Sequence, residues 1–224
     1  MLQPATLQFL KQLKKNNNKE WFDANRKKYE AAKTDYALFI QNVIDNFSKT
    51  DANFSSLKAK DCLFRINRDV RFAKDKSPYK TNMGAYINAA GKKSMTGGYY
   101  MHLEPGQSFV GGGIYQPDAE MLKKVRQEID YNFDEFNKII SSKKFKAVYT
   151  KGLSNDNEIK LSRPPKGYDE NNPAIEYLKL KSFVASAPLS DEQLTDKKLA
   201  STVVKALEAL HPMIVFINHA LNSE

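Results

Sequence analysis

The sequence is poor in the residues that most often carry recognisable chemistry, with one cysteine, three histidines and one tryptophan. A lone Cys62 cannot close an internal disulfide, so nothing points to an oxidising compartment and a cytoplasmic setting is expected. Beside Leu63 and Phe64 it reads as a small buried apolar residue rather than a nucleophile. His102, His211 and His219 are scattered, and no cysteine–histidine spacing suggests zinc, so no metal or cofactor is expected. Neither a Gly-x-Gly-x-x-Gly spacing nor a phosphate loop is present, and no serine–histidine–acid set is legible. No apolar run approaches the length that spans a bilayer. Met1 to Leu13 alternates Leu and Phe with Gln, Pro and Lys, unlike the continuous apolar stretch of a signal peptide, and no membrane partner is expected.

What the chain does have is positive charge, unevenly spread. Its 35 Lys and Arg against 26 Asp and Glu give a net +9 over 224 residues. Ten basic residues stand between Lys58 and Lys93 against three acids (Asp61, Asp69, Asp75), a net +7. Lys160 to Lys181 adds five basic and three acidic residues, net +2, and the rest sums to zero. Charge this concentrated favours a site for an anionic partner. The plain alternative is a solvated basic face.

Hydrophobic patterning predicts an α+β fold in a single domain, 1–224. Leu7, Leu10 and Leu13 sit at helical spacing, and Asn17 with Glu20 resembles a capping box that starts a second helix. Tyr29, Ala32, Tyr36, Phe39, Ile40, Val43, Ile44 and Phe47 form the apolar stripe of a long helix. From about residue 61 to 115 the pattern changes. Leu63-Phe64, Met83 to Ala89, Tyr99 to Leu103 and Ser108 to Tyr115 read as strands of one antiparallel sheet. Gly91, Gly97-Gly98 and Pro105-Gly106 separate the last three. Helix resumes from Met121 to Ile140 with an interruption near Asn132. Residues 152–173 read as irregular, and 183–187 as a further strand. Leu199, Val203, Leu207 and Leu210 begin the C-terminal helices, with Pro212 restarting the pattern at an N1-like position. Helices from both termini are expected to flank the sheet.

The densest polar segment runs from Phe64 to Lys80. Arg65, Arg68 and Arg71 recur every third residue, and guanidinium forks suit bidentate capture of phosphate or carboxylate. Asp69 and Asp75 can orient them, Ser77-Pro78 marks a turn, and Lys76, Tyr79 and Lys80 complete the candidate anion site. Arg163, Lys166 and Tyr168 form a candidate second clamp, stiffened by Pro164 and Pro165. Gly111-Gly112-Gly113 reads as close packing or a bulge before it reads as a ligand loop. His102 and Glu104, two apart on a strand, share a face and read as a structural pair ahead of a metal or proton site. Asp156-Asn157-Glu158-Ile159-Lys160 carries a Glu-x-Lys spacing that also occurs in metal-dependent nucleases.

Arg65-x-x-Arg68-Asp69-x-Arg71-Phe72 followed by Asp75-Lys76-x-x-Tyr79 resembles the signature of domain-of-unknown-function family 2461, a set of bacterial proteins with some fungal relatives. Lys19-Glu20-Trp21-Phe22, the triple glycine and Arg163-Pro164-Pro165-Lys166-Gly167-Tyr168 extend the likeness from Phe9 to about Leu221. The resemblance implies a single unit in a bacterial cytosol and brings no activity, cofactor or catalytic residue.

Three classes of function stay open. One is binding, with or without turnover, of a small phosphorylated or carboxylated ligand at the arginine segment. A second is a nucleic-acid module in which Tyr79, Tyr86, Tyr99, Tyr100 or Tyr168 stacks on bases beside cations. The third is a structural or interaction protein whose arginines only brace the fold. A compact arginine group with its own carboxylates suits one localised anion best.

Overall fold

A computed structural model describes residues 1–155 and 160–222. Ten α-helices, a short 3-10 turn and four strands follow one another along the described chain. The strands β1 (Met83–Ile87), β2 (Gly98–Leu103), β3 (Phe109–Ile114) and β4 (Phe183–Pro188) form one antiparallel sheet in the order β1-β2-β3-β4. Leu63-Phe64, expected as a strand of this sheet, and the residues that follow up to 82 contribute only isolated bridges such as Leu63 to Ala85. Their run of Arg, Lys and Asp lacks the apolar alternation that a half-buried strand needs.

The chain forms two compact units. The first comprises Met1–Lys93, Tyr100–Val110 and Pro188–Lys205. It begins with α1 (Pro4–Lys15), α2 (Lys19–Ala24) and α3 (Arg26–Phe47). Pro4 opens α1, where its missing N–H costs nothing, and Lys14 and Lys15 meet the negative end of the helix. Leu7, Leu10 and Leu13 are buried against α3, whose own buried stripe is the expected Ala32, Tyr36, Phe39, Ile40, Val43, Ile44 and Phe47. Each fully buried Leu contributes about 1.5–3 kcal/mol relative to exposure. The Tyr36 hydroxyl donates to the Met101 carbonyl at 2.8 Å, which fixes α3 on β2.

One expectation in this unit is corrected. Asn18, not Asn17, caps α2 by accepting from the Trp21 amide at 2.9 Å. Asn17 is used elsewhere: its side-chain amide donates to the Tyr79 carbonyl at 2.9 Å and accepts from the Tyr79 N–H at 3.1 Å. Behind it α4 (Ala59–Cys62) leads into the arginine segment. Cys62 is fully buried, and that burial pushes its thiol up to about 11.

The second unit comprises Ser94–Tyr99, Gly111–Ala187 and Ala206–Glu224. Its helices α5 (Ala119–Tyr131) and α6 (Phe133–Ser141) break at Asn132, as the periodicity predicts. They are followed by α7 (Lys143–Val148) and α8 (Ile175–Leu178). Phe136 is fully buried between Tyr177 and Phe216, with ring centres 5.3 and 5.4 Å away. The triple glycine lies in β3, where backbone crowding accounts for it. A Cβ on Gly113, whose φ is +127°, would lie 1.9 Å from the Phe183 carbonyl oxygen.

After α9 (Asp191–Thr195), α10 runs unbroken from Leu199 to Asn222 with Pro212 inside it. The expected restart at Pro212 is therefore absent. Proline removes one helical hydrogen bond, but Leu210, Met213 and Ile214, buried on either side of it, hold the helix together. α10 is long and apolar enough to cross a membrane by length and composition alone, a stretch the sequence reading did not expect; Val203, Leu207, Leu210, Met213 and Ile217 are buried inside the protein.

Candidate functional site

The arginine segment folds as a narrow hairpin within the first unit. The Lys80 amide donates to the Ile66 carbonyl at 2.8 Å and the Arg68 amide to the Pro78 carbonyl at 2.9 Å, with a further bridge between Asn67 and Tyr79. Pro78 supplies an acceptor but no donor, which suits the end of so short a ladder. Tyr79 closes the hairpin from beneath. It is 6% exposed, stacks on Phe22 at 3.9 Å between ring centres, and is held by Asn17.

The three arginines part company. Arg68 turns back on the hairpin, donating to Asp75 at 2.5 Å and to the Ser77 carbonyl at 3.0 Å. Asp75 also accepts from the Ser77 hydroxyl and amide; these bonds, with Arg68, hold its carboxyl near 2. Arg71 reaches Asp69 through a fork, at 3.0 Å from Nε and 2.7 Å from Nη2, and that bond keeps the Asp69 carboxyl below its usual range. Lys76 donates to the Val70 carbonyl at 3.0 Å. Both acids and three of the basic residues thus serve the hairpin itself. At its tip Phe72 is 96% exposed, with the Arg71 guanidinium 5.9 Å from its ring centre.

Arg65 behaves differently. Among the described residues it makes no hydrogen bond or ion pair, and this exposed residue lines a cavity of about 450 Å³. Lys33 from α3, Lys60 from α4 and Lys92 from the β1–β2 connection line the same cavity. No carboxylate does so among the described residues. Lys92 donates to the Leu63 carbonyl at 3.0 Å, and Lys33 stands 3.6 Å from the exposed Glu30. Tyr29, Tyr36 and Phe64 supply aromatic walls, and Gly84 part of the lining. A Cβ at position 84 would lie 2.5 Å from the Tyr100 hydroxyl, so a larger residue there would have to displace that ring.

A second cavity, of about 360 Å³, is lined by Lys14, Asn17, Arg68, Asp75, Lys80 and their neighbours. Asn82 lines both cavities. Lys80 has no carboxylate partner among the described residues; its ammonium lies 5.4 Å from the Phe64 ring centre. Burial, with a smaller effect of Arg65, lowers its pKa.

Over residues 5–216 the chain matches the family described as conserved hypothetical protein (DUF2461). It belongs to that family. No curated protein and no solved structure matches it. In this DUF2461 chain the match covers the hairpin and both cavities, whose residues lie between Lys14 and Lys92.

The other candidate residues of this family member sort by place. His102 on β2 and Glu104, just past its end, do come together: the ring Nε2 lies 3.3 Å from the carboxylate, and the ring stacks on Phe109 at 4.9 Å. Its Nδ1 lies 3.3 Å from the Tyr100 hydroxyl and 3.5 Å from the Asn82 amide. Burial alone would raise the Glu104 carboxyl, but hydrogen bonds from His102, Lys14 and Thr81 hold it below its usual range. Among the described residues, no three His, Cys, Asp or Glu side chains group as they would around a metal ion.

In the second unit Arg163 and Lys166 are exposed, and Tyr168 closes a turn with its amide on the Pro165 carbonyl at 3.2 Å. Burial raises the Tyr168 phenol, with Asp130 adding to it and Arg126 opposing. Asp156 to Ile159, which carry most of the Glu-x-Lys pattern, lie outside the described residues.

Sequence reasoning missed Lys33, Lys60, Lys92 and Asn82. Lys60 and Lys92 fall inside the +7 stretch, so the charge count marked their region without marking their role. Lys33 carried no signal: it is one more lysine on the outer face of a long helix.

Proposed function

We propose that this protein binds a small anionic ligand, phosphorylated or carboxylated, in the cavity that Arg65 lines. The observation that carries the reading is the cavity's charge: Arg65, Lys33, Lys60 and Lys92 line it with no carboxylate among them. Like charges brought together cost stability unless an anion offsets them, and water screens part of that cost here because all four side chains are solvent-exposed. The hairpin acids are hydrogen-bonded elsewhere, Asp69 to Arg71 and Asp75 to Arg68 and Ser77, so Asp69 acts on Arg65 only through space. A fork with no protein partner is free for two oxygens of one anion. About 450 Å³ is an ordinary size for a small-molecule site, and its aromatic walls suit a ligand with an apolar part.

The hairpin tip favours a second reading. A fully exposed Phe72 beside Arg71, with Lys74 nearby, resembles the stacking platform of a single-strand nucleic-acid binder. Calorimetric titration separates the two. The cavity reading predicts saturable binding of inorganic phosphate or a small organic phosphate with a shallow salt dependence. In Arg65→Lys, loss of the fork should weaken it by about 1–3 kcal/mol. Tight binding of random single-stranded DNA that falls steeply with salt would displace the cavity reading in favour of the tip.

A further inference from the structure

We infer that the ligand of this site carries two anionic groups, the first held at Arg65 and the second reaching past Asn82 to Lys80 in the adjoining cavity. The inference rests on the proposed anion site and adds the class of ligand. Three observations lead to it. The two cavities are neighbours that share one lining residue, Asn82. Their cations are compensated unequally. Around the second cavity, Asp75 is taken by Arg68 and Ser77, and Lys14 lies 3.3 Å from Glu104, which also serves Thr81 and His102. Lys80 is left, half-buried, with the Phe64 ring beneath its ammonium and no carboxylate among the described residues. Finally, Lys80 and Arg65 are close enough to oppose each other's charge, and the acid that acts on Arg65, Asp69, is hydrogen-bonded to Arg71.

The junction also says what joins the two groups. Asn82 offers an amide, which is neutral and both donates and accepts, and Phe64 lines the first cavity beside it. A neutral linker, apolar or hydroxylated, fits there. The class is therefore a bis-anion, with two phosphoryl or carboxyl groups on a short neutral spacer.

The test uses the full chain and a series of alkane α,ω-bisphosphates, each compared with the monoalkyl phosphate of equal length at constant ionic strength. At the best spacer the bisphosphate should bind about tenfold or more tighter, the gain expected of one added charge-assisted hydrogen bond. Lys80→Met should collapse that ratio to near one, and Lys80→Gln should do the same if methionine perturbs the fold. Arg65→Lys should weaken both ligands together. If monophosphates bind and bisphosphates bind no better, or if the ratio survives in both Lys80 variants, the bis-anion inference fails and the anion site stands. If neither series binds, the anion site itself is wrong and the inference falls with it.

Discussion

Replacing Arg68 and Arg65 separately by methionine should split one sequence motif into a brace and a site. Arg68 is 26% exposed along its side chain and donates to the Ser77 carbonyl at 3.0 Å as well as to Asp75. A hydrogen bond from a charged donor to a part-buried carbonyl is worth about 1.5–3 kcal/mol. The bond to Asp75 adds little, because that carboxylate is solvent-exposed. Arg68→Met should therefore lower unfolding free energy by about 1.5–3 kcal/mol, measured by urea denaturation with an unchanged m-value. Arg65 has no hydrogen bond or ion pair to lose; its removal relieves repulsion from Lys80 and gives up a through-space attraction to Asp69. Arg65→Met should stay within about 0.5 kcal/mol of the parent or gain slightly. If Arg65→Met destabilises as much as Arg68→Met, Arg65 is a brace and the division between the two is mistaken.

Gly113→Ala combines a left-handed backbone with a Cβ 1.9 Å from the Phe183 carbonyl, and should cost about 3 kcal/mol or more; a denaturation midpoint equal to the parent's would contradict the close approach of β3 to β4. Asp75 titrates near 2 against an ordinary 3.8, so its contribution is present above 3.8 and lost as pH falls towards 2. The protection of the Ser77 amide against exchange, taken relative to the unprotected rate at each pH, should accordingly hold from about pH 5 down through about pH 4 and fall only on approach to about 2. Loss of protection already near pH 4 would show that the Asp75 bonds are not made. Cys62, with its thiol near 11, should react with a thiol reagent at neutral pH far more slowly in the native protein than in urea, and equal rates would show the thiol accessible.

The helices of the first unit were legible because Leu7, Leu10, Leu13 and the Tyr29–Phe47 stripe repeat on one face, and burial is what such repetition encodes. The strands β1 to β3 were legible through the turn residues between them, and β4 through its apolar alternation. Two misreadings have local causes. Three consecutive asparagines offer the same capping chemistry, and what separates Asn17 from Asn18 is Tyr79, 62 residues away. Pro212 signals a helix start in isolation, yet burial of Leu210 and Met213 around it outweighs one missing hydrogen bond. The candidate site was legible in part. Charge counting found the right segment, but an every-third-residue spacing carries no shared direction in a hairpin, so Arg65, Arg68 and Arg71 diverge. Lys33 and Lys60 sit on separate helices, and only the tertiary fold sets them beside Arg65.

The most direct test of the central claim is a crystal structure of the protein soaked in selenate, an oxyanion whose anomalous scattering locates it without ambiguity. Selenate should appear in the cavity with oxygens about 2.7–3.1 Å from the Arg65 guanidinium and one or more of Lys33, Lys60 and Lys92. An empty cavity with Arg65 turned onto a protein carboxylate or carbonyl, or selenate found only at Arg71 on the hairpin tip, would contradict it.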